Sequence, residues 1–297
     1  MQPIFFVPFF EDKPWGGNRL AELYGKYPSG IRIAESWELS AVQYRQTCVR
    51  AGLYVGYTLK DLYRAEPGLF GTKTPYFPLV IKLLDVTGRV PISVHGGGVK
   101  SDADQTDGAY VIEAGPEAWL KSGTRLSGTF ELFRAMADGA VEDSAYEIPV
   151  KAGDSFLTPP GVPHAIGGGQ VVYQIASPLR ESTLIGDMET PSDRELEKAF
   201  EAFRFGVSLA PEIPTETAPG ITRLLETELF SLEKIDAVEP VEQTCGSVFT
   251  AYTALSRGAL QTGDRAYTYN GGDTFVIPAG GESYRLVGGV LLKATPR

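Results

Sequence analysis

VKAGDSFLTPPGVPHAI, residues 150–166, returns later in the chain as YNGGDTFVIPAGGESYRL, residues 269–286. Both copies carry Gly-Asp, then Ser or Thr, Phe and an aliphatic residue, followed by Pro and Gly at related offsets. That order predicts a tight turn, a strand, a second tight turn and another strand. Gly153 and Gly272 suit positive φ, the carboxylates of Asp154 and Asp273 can accept hydrogen bonds from turn amides, and the Pro and Gly residues punctuate. A module of this kind used twice predicts two related β barrels in one chain. The first copy contains His164, one of only two histidines. The second copy offers Ser283 at that place, or Glu282 if the gap moves by one, so the second barrel is expected to be structural.

The rest of the chain agrees with a mainly β reading. Its 34 glycines and 21 prolines separate short segments rich in Val, Ile, Phe, Tyr and Thr, often alternating, which is the pattern of a sandwich or barrel. Two stretches have helical spacing instead: TFELFRAMA at 129–137, and SDRELEKAFEAF at 192–203, where Ser192 and Glu195 stand in capping-box spacing. GVSLAPEIPTETAPG, residues 206–220, reads as a linker. The boundary is therefore set near residue 218, giving a first barrel with helical insertions over 1–218 and a second over 219–297.

A chain of 297 residues with 43% hydrophobic and 22% charged residues can bury a sizeable core. The net charge of −10, with no Lys/Arg cluster, argues against a nucleic-acid partner, because phosphate-backbone binding needs a concentrated basic face. The apolar runs fall well short of the ~20 residues of a membrane helix. The N-terminus, MQPIFFVPFFEDKPW, lacks the plan of a secretory signal, so neither a membrane partner nor export is expected and the cytoplasm is. Cys48 and Cys245 lack metal or redox spacing and read as reduced, small apolar residues. Nothing in the sequence fixes the number of subunits.

The second histidine lies in FPLVIKLLDVTGRVPISVHGGGVK, residues 77–100. Here Ile92 and Val94 alternate with Ser93 and His95, so a period of two puts Ser93 and His95 on one strand face. Each histidine taken alone reads as a surface or hydrogen-bonded core residue. Two at strand ends beside Gly-rich turns, in a chain nearly free of histidine, form a candidate metal pair. Neutral imidazole suits zinc or iron, and a carboxylate usually completes such a site. Asp102, Asp104, Asp107 and Glu113 are the acidic candidates that follow His95.

Six landmarks now stand in order: PWGG (14–17), AESWELS (34–40), FPLVIKLLD (77–85), ISVHG (92–96), GDSFLTPPGVPHAI (153–166) and PSDRELEKAF (191–200). With them the first two thirds of the chain resembles the cupin-fold type I phosphomannose isomerases of the short bacterial and archaeal form. The resemblance implies two cupin-like jelly-roll barrels, and a zinc site, one per chain, that converts mannose 6-phosphate to fructose 6-phosphate. By position it makes His95, His164 and Asp107 the metal ligands, with Lys82 beside the site. In this family the metal polarises the oxygens at C1 and C2, a base shuttles the C2 proton through an enediol, and a cation stabilises the developing charge. Glu35, Glu38, Trp15 and Trp37 read as scaffold.

The chain departs from the family pattern at several substrate-facing positions. Ser93 stands where the family has Gln or Lys, Gln105 where it has Lys, and Gln174 where it has Glu. The family's arginine comes ten residues after that Glu; Leu184 stands there without a gap, whereas a four-residue loop deletion makes Arg180 the match, and Arg180 is the expected catalytic arginine. Two other readings stay open on these departures: a sugar-phosphate-binding or regulatory homologue without catalysis, and an iron facial triad of the oxygenase type.

Overall fold

The two copies of the repeated module form the strands Ser155–Thr158 and His164–Ile166 in the first half and Thr274–Ile277 and Tyr284–Val287 in the second. In the computed structural model Gly153 and Gly272 hold φ at 95° and 83°. The amides of Lys151 and Asn270 donate to the Asp154 and Asp273 carboxylates, each at 2.9 Å. The structure describes residues 2–26, 32–95, 106–177, 182–184 and 193–297, the last two ranges including residues 182–184, 193, 195, 196, 198 and 199 by backbone only.

Four antiparallel sheets stack as layers. The outermost runs Tyr146–Pro149, Trp119–Ser122, His164–Ile166, Ser93–His95, Ser182–Leu184. It faces a six-stranded sheet ordered Ser155–Thr158, Asp107–Ala114, Gln170–Ala176, Val80–Val86, Glu35–Leu39, Phe9–Glu11. Between them lies an apolar cluster with Leu84, Val86, Val111 and Val172 from one sheet and Leu120 and Ile166 from the other. The reverse face of the six-stranded sheet, with Ile81, Leu83, Tyr173 and Ile175, packs against an eight-stranded sheet through Phe230, Leu232, Val276 and Leu292. A four-stranded sheet closes the far side around Tyr252, Tyr269, Phe275 and Leu286. Strand alternation thus assigns Lys82 and Leu84 to the first barrel's interior and Ile81 and Leu83 to the interface between barrels.

The barrels repeat one pairing scheme. Gln170–Ala176 lies between Val80–Val86 and Asp107–Ala114, as Val290–Pro296 lies between Phe230–Asp236 and Thr250–Ala254. Likewise His164–Ile166 lies between Trp119–Ser122 and Ser93–His95, as Tyr284–Val287 lies between Gly258–Thr262 and Val241–Gln243. The counterpart of His164 is therefore Tyr284, not Ser283 or Glu282. The connecting turn runs over 159–163 in the first copy and 278–283 in the second, and the longer turn displaces the sequence alignment by one.

Two further differences from the sequence reading concern the junction between the barrels. Thr215–Ala218, read as linker, is an exposed edge strand paired with Ile221–Glu226. Ile4–Val7 joins the eight-stranded sheet beside Thr274–Ile277, so the chain begins in the sheet that its last third builds. The helix expected at 129–137 is Thr129–Ala137, and that at 192–203 is Asp193–Ala202; shorter helices at Arg19–Tyr24 and Leu59–Ala65 were not anticipated. No helix among the described residues is long and apolar enough to cross a membrane. Cys48 and Cys245 are unbridged.

Candidate metal centre and cleft

Ile92, Val94 and Ala165 turn outward into a cluster with Leu132, Met136 and Phe203 around the two longer helices. Alternation then sends Ser93, His95 and His164 inward. Ser93 and His164 are direct cross-strand partners, and the Gly161 amide donates to the His95 carbonyl at 2.9 Å, tying the two histidine-bearing turns together. Gly161 holds φ at 80°, and a Cβ there would lie 2.3 Å from the Ala202 carbonyl, so this turn requires glycine. Asp107 opens the neighbouring strand, paired to both Thr158 and Ala176.

These three side chains converge. One donor atom from each of His95, Asp107 and His164 lies within 4.8 Å of the other two. His95 Nε2 lies 3.3 Å from Asp107 Oδ2, and the imidazole rings are 4.9 Å apart. Ligands of a tetrahedral zinc ion are themselves about 3.4 Å apart, so small side-chain adjustments would close this triangle on an ion. His164 Nδ1 donates to the Val162 carbonyl at 3.1 Å, which fixes the tautomer and leaves the Nε2 lone pair for a metal. Burial first, then the charge of His95, pushes the His164 pKa down to about 4, with Asp107 and the Val162 carbonyl opposing. The ring is thus neutral at physiological pH, as a ligand must be. Among the described residues His95 Nδ1 is buried with no hydrogen-bond partner, a further sign that the donor set suits an ion. Of the other acidic candidates, Glu113 is engaged by Arg19 at 2.7 Å, and Asp102 and Asp104 lie outside the described residues.

The histidines form one wall of a cleft of about 530 Å³. Ser93, Lys82 and Gln174 line it too, and Lys82 and Gln174 are cross-strand partners. The Lys82 ammonium sits 3.4 Å from Glu35 Oε2 and 4.4 Å from the centre of the Trp37 ring. Gln105 and Arg180 lie outside the described residues. Leu184 pairs opposite Ser93, one strand beyond His164.

Sequence reasoning missed part of this cleft. Glu35 and Trp37, read as scaffold, line it, as do Glu11, Lys13 and Arg45. Arg45 grips Glu11 through Nε at 2.7 Å and Nη2 at 2.9 Å, and Lys13 adds a contact at 3.3 Å. The indole of Trp37 donates to the same carboxylate at 3.1 Å. The alternation in ESWEL could have exposed Glu35 and Trp37 as one face; a pair as distant as Arg45 and Glu11 leaves no local signal.

Comparison with known proteins places this architecture. Mannose-6-phosphate isomerase of Streptococcus mutans is 27% identical over 293 residues, covering 93% of this chain and 92% of that protein. The mannose-6-phosphate isomerase ManA of Bacillus subtilis is 27% identical over 306 residues, covering 97% and 96%. The crystal structure of the Bacillus subtilis mannose 6-phosphate isomerase shares the fold at a TM-score of 0.90 and 25% identity, over 99% of this chain and all of that one. The chain is similar to mannose-6-phosphate isomerases along almost its whole length. No protein-family model matches it. A zinc-bound mannose 6-phosphate isomerase, only 12% identical, has the same fold at a TM-score of 0.80 over the whole of both chains. Because the isomerase relatives match along almost their full length, the second barrel is common to them and to this chain.

Proposed function

We propose that this protein is a metal-dependent aldose–ketose isomerase that interconverts mannose 6-phosphate and fructose 6-phosphate. The observation that carries the reading is the convergence of His95, Asp107 and His164, whose two histidines line one wall of a cleft, in a chain whose full-length relatives bear that enzyme name. These three residues would hold the ion, zinc by the chemistry of two imidazoles and one carboxylate, one per chain. When bound, it supplies Lewis-acid polarisation of the sugar oxygens at C1 and C2.

The remaining work falls to side chains. Moving a proton between C2 and C1 needs a group that can take and return it, and a cation beside the oxygen that gains charge. Lys82, with Glu35 against it, is assigned to this step, and Arg180 is assigned as the second cation. Ser93 and Gln174 are assigned to the sugar hydroxyls: the short Ser93 side chain leaves room beside the histidines, and Gln174 offers both a donor and an acceptor. Gln105 joins them on the family's pattern. Val90, Leu84 and Ile166 supply apolar wall that excludes water. Catalysis is assigned to residues 1–218, with 219–297 a second barrel lacking the ligand set. A cytoplasmic location accompanies this reading, since phosphorylated sugars are held there and unbridged cysteines stay reduced.

A coupled assay of the zinc-loaded protein with mannose 6-phosphate tests the assignment, with His164→Ala as the control. Turnover at least a hundredfold above that control is expected, since metal-ion catalysis vanishes with its ligand; rates equal to the control refute the assignment.

A further inference from the structure

The cleft grades from floor to rim. The His95 and Lys82 side chains are each 14% exposed, whereas Lys13 and Arg45 are 37% and 38% exposed. The reacting end of a substrate belongs at the buried histidines, and Lys13 and Arg45 stand at the exposed side of the same cleft, open to its other end. Arg45 is also held in a defined orientation. It sits on the Ala41–Val42 and Arg45–Gln46 hairpin, with its guanidinium 5.2 Å from the Trp37 ring centre and its Nε and Nη2 engaged by Glu11. The opposite edge of the fork, at Nη1, is then presented for another partner. A guanidinium locked along one edge by a carboxylate and supported on an aromatic face loses little freedom on binding an anion, and phosphate oxygens match its fork. Lys13 and Arg45 together outweigh the one carboxylate, Glu11, that both contact, which leaves a locally positive rim for a phosphate dianion on a chain of net charge −10.

We propose that Arg45, oriented by Glu11 and Trp37 at the rim of the metal cleft, recognises the phosphate group of the substrate, with Lys13 as its second cation. Glu11 and Trp37 are positioning residues. The inference deepens the sugar-phosphate reading and rests on it for the identity of the substrate, but phosphate recognition can be measured without turnover.

Arg45→Met keeps an unbranched side chain of similar reach and removes the charge and the donors. In the zinc-loaded full chain, this variant should raise KM for mannose 6-phosphate about tenfold or more, as loss of a charge-assisted contact predicts, with kcat kept within about twofold. Its affinity for inorganic phosphate, by calorimetry, should fall in the same proportion, and Arg45→Lys should recover part of both. Arg223→Met, at an exposed position of the second barrel, controls for net charge and should change neither. If Arg45→Met binds phosphate and mannose 6-phosphate as the parent does, the proposal is overturned; it is equally overturned if the parent has no affinity for phosphate. If the parent binds phosphate through Arg45 but turns over no mannose 6-phosphate, phosphate recognition stands and the isomerase reading falls.

Discussion

Glu11 shows how one carboxylate can serve both stability and site geometry. Its burial alone would raise its pKa, but the hydrogen bonds and charge of Arg45, aided by Lys13, outweigh that and hold it down at about 2, from an ordinary 4.5. The sign follows directly. The unfolded chain takes up the proton near pH 4.5 and the folded chain only near 2, so the stabilisation is complete above pH 4.5 and is lost as pH falls from there toward 2. Glu11→Gln should therefore be less stable than the parent by about 1–2 kcal/mol at pH 6, the size of a partly exposed charge-assisted pair, and the gap should narrow as pH falls below 4.5 and close toward pH 2. Denaturant unfolding of the metal-free proteins between pH 7 and pH 3 measures it; a gap unchanged at pH 3 would contradict the assignment. The same residues mark what single positions reveal in a sequence. His95 and His164 were legible because histidine is rare in this chain and both stand at turn-flanked strand ends. Asp107 emerged from four acidic candidates only through the family pattern. Arg45 and Glu11, 34 positions apart, meet because the hairpin folds back over the first strands, which no local pattern encodes.

The strand Glu35–Leu39 carries two functions on two faces. Glu35 and Trp37 point into the cleft, whereas Ser36 and Glu38 point toward the second barrel, where Glu38 accepts from Ser36 Oγ, from Lys26 Nζ at 2.9 Å and from Thr274 Oγ1 at 3.1 Å. Lys26 also donates to the Gly272 carbonyl at 2.6 Å, so this buried pair bridges the turn of the second module copy. With side chains 6% and 1% exposed, neither ion can rely on water if its partner goes. Glu38→Ala should cost about 3–5 kcal/mol, because it strands a buried ammonium. The double variant Lys26→Met, Glu38→Leu should be markedly milder than the sum of the two single changes, as uncharged side chains remove the desolvation cost as well as the attraction. Chemical denaturation of the parent, Lys26→Met, Glu38→Leu and the double variant decides it, with Glu38→Ala measured beside them; strict additivity would show that the pair contributes no coupling. Residues three apart on a strand face opposite ways, so Glu35 and Glu38, read together as scaffold, stand on opposite faces, one in the cleft wall and one against the second barrel.

Across the whole molecule, the repeated module disclosed the two barrels because tight turns constrain residue types strongly: positive φ demanded Gly153 and Gly272, and the turn amides demanded Asp154 and Asp273. Longer-range features left no such trace. The pairing of Ile4 with Val276 depends on complementary apolar faces, which many strands share, and a turn longer by one residue shifted the apparent partner of His164. With the register corrected, the equivalents of Ser93, Asp107 and His164 in the second barrel are Gln243, Thr250 and Tyr284, and two residues past Gln243 stands Cys245 in place of His95. Those side chains close the space between the sheets. The Tyr252 and Tyr284 hydroxyls lie 2.6 Å apart, Tyr252 donates to Gln243 Oε1 at 3.4 Å, and Cys245 Sγ donates to the Glu282 carbonyl at 3.1 Å. Burial pushes both tyrosine pKa values upward, so neither offers a phenolate to a metal near neutral pH. A lone thiol cannot replace two imidazoles and a carboxylate. Zinc added in excess and then dialysed away should therefore remain at one ion per chain. His164→Ala should fall close to zero while Cys245→Ala stays at one. Elemental analysis of the three proteins reads the outcome directly: two ions per chain in the parent, or a loss of zinc on replacing Cys245, would mean that the second barrel has kept a metal site of its own.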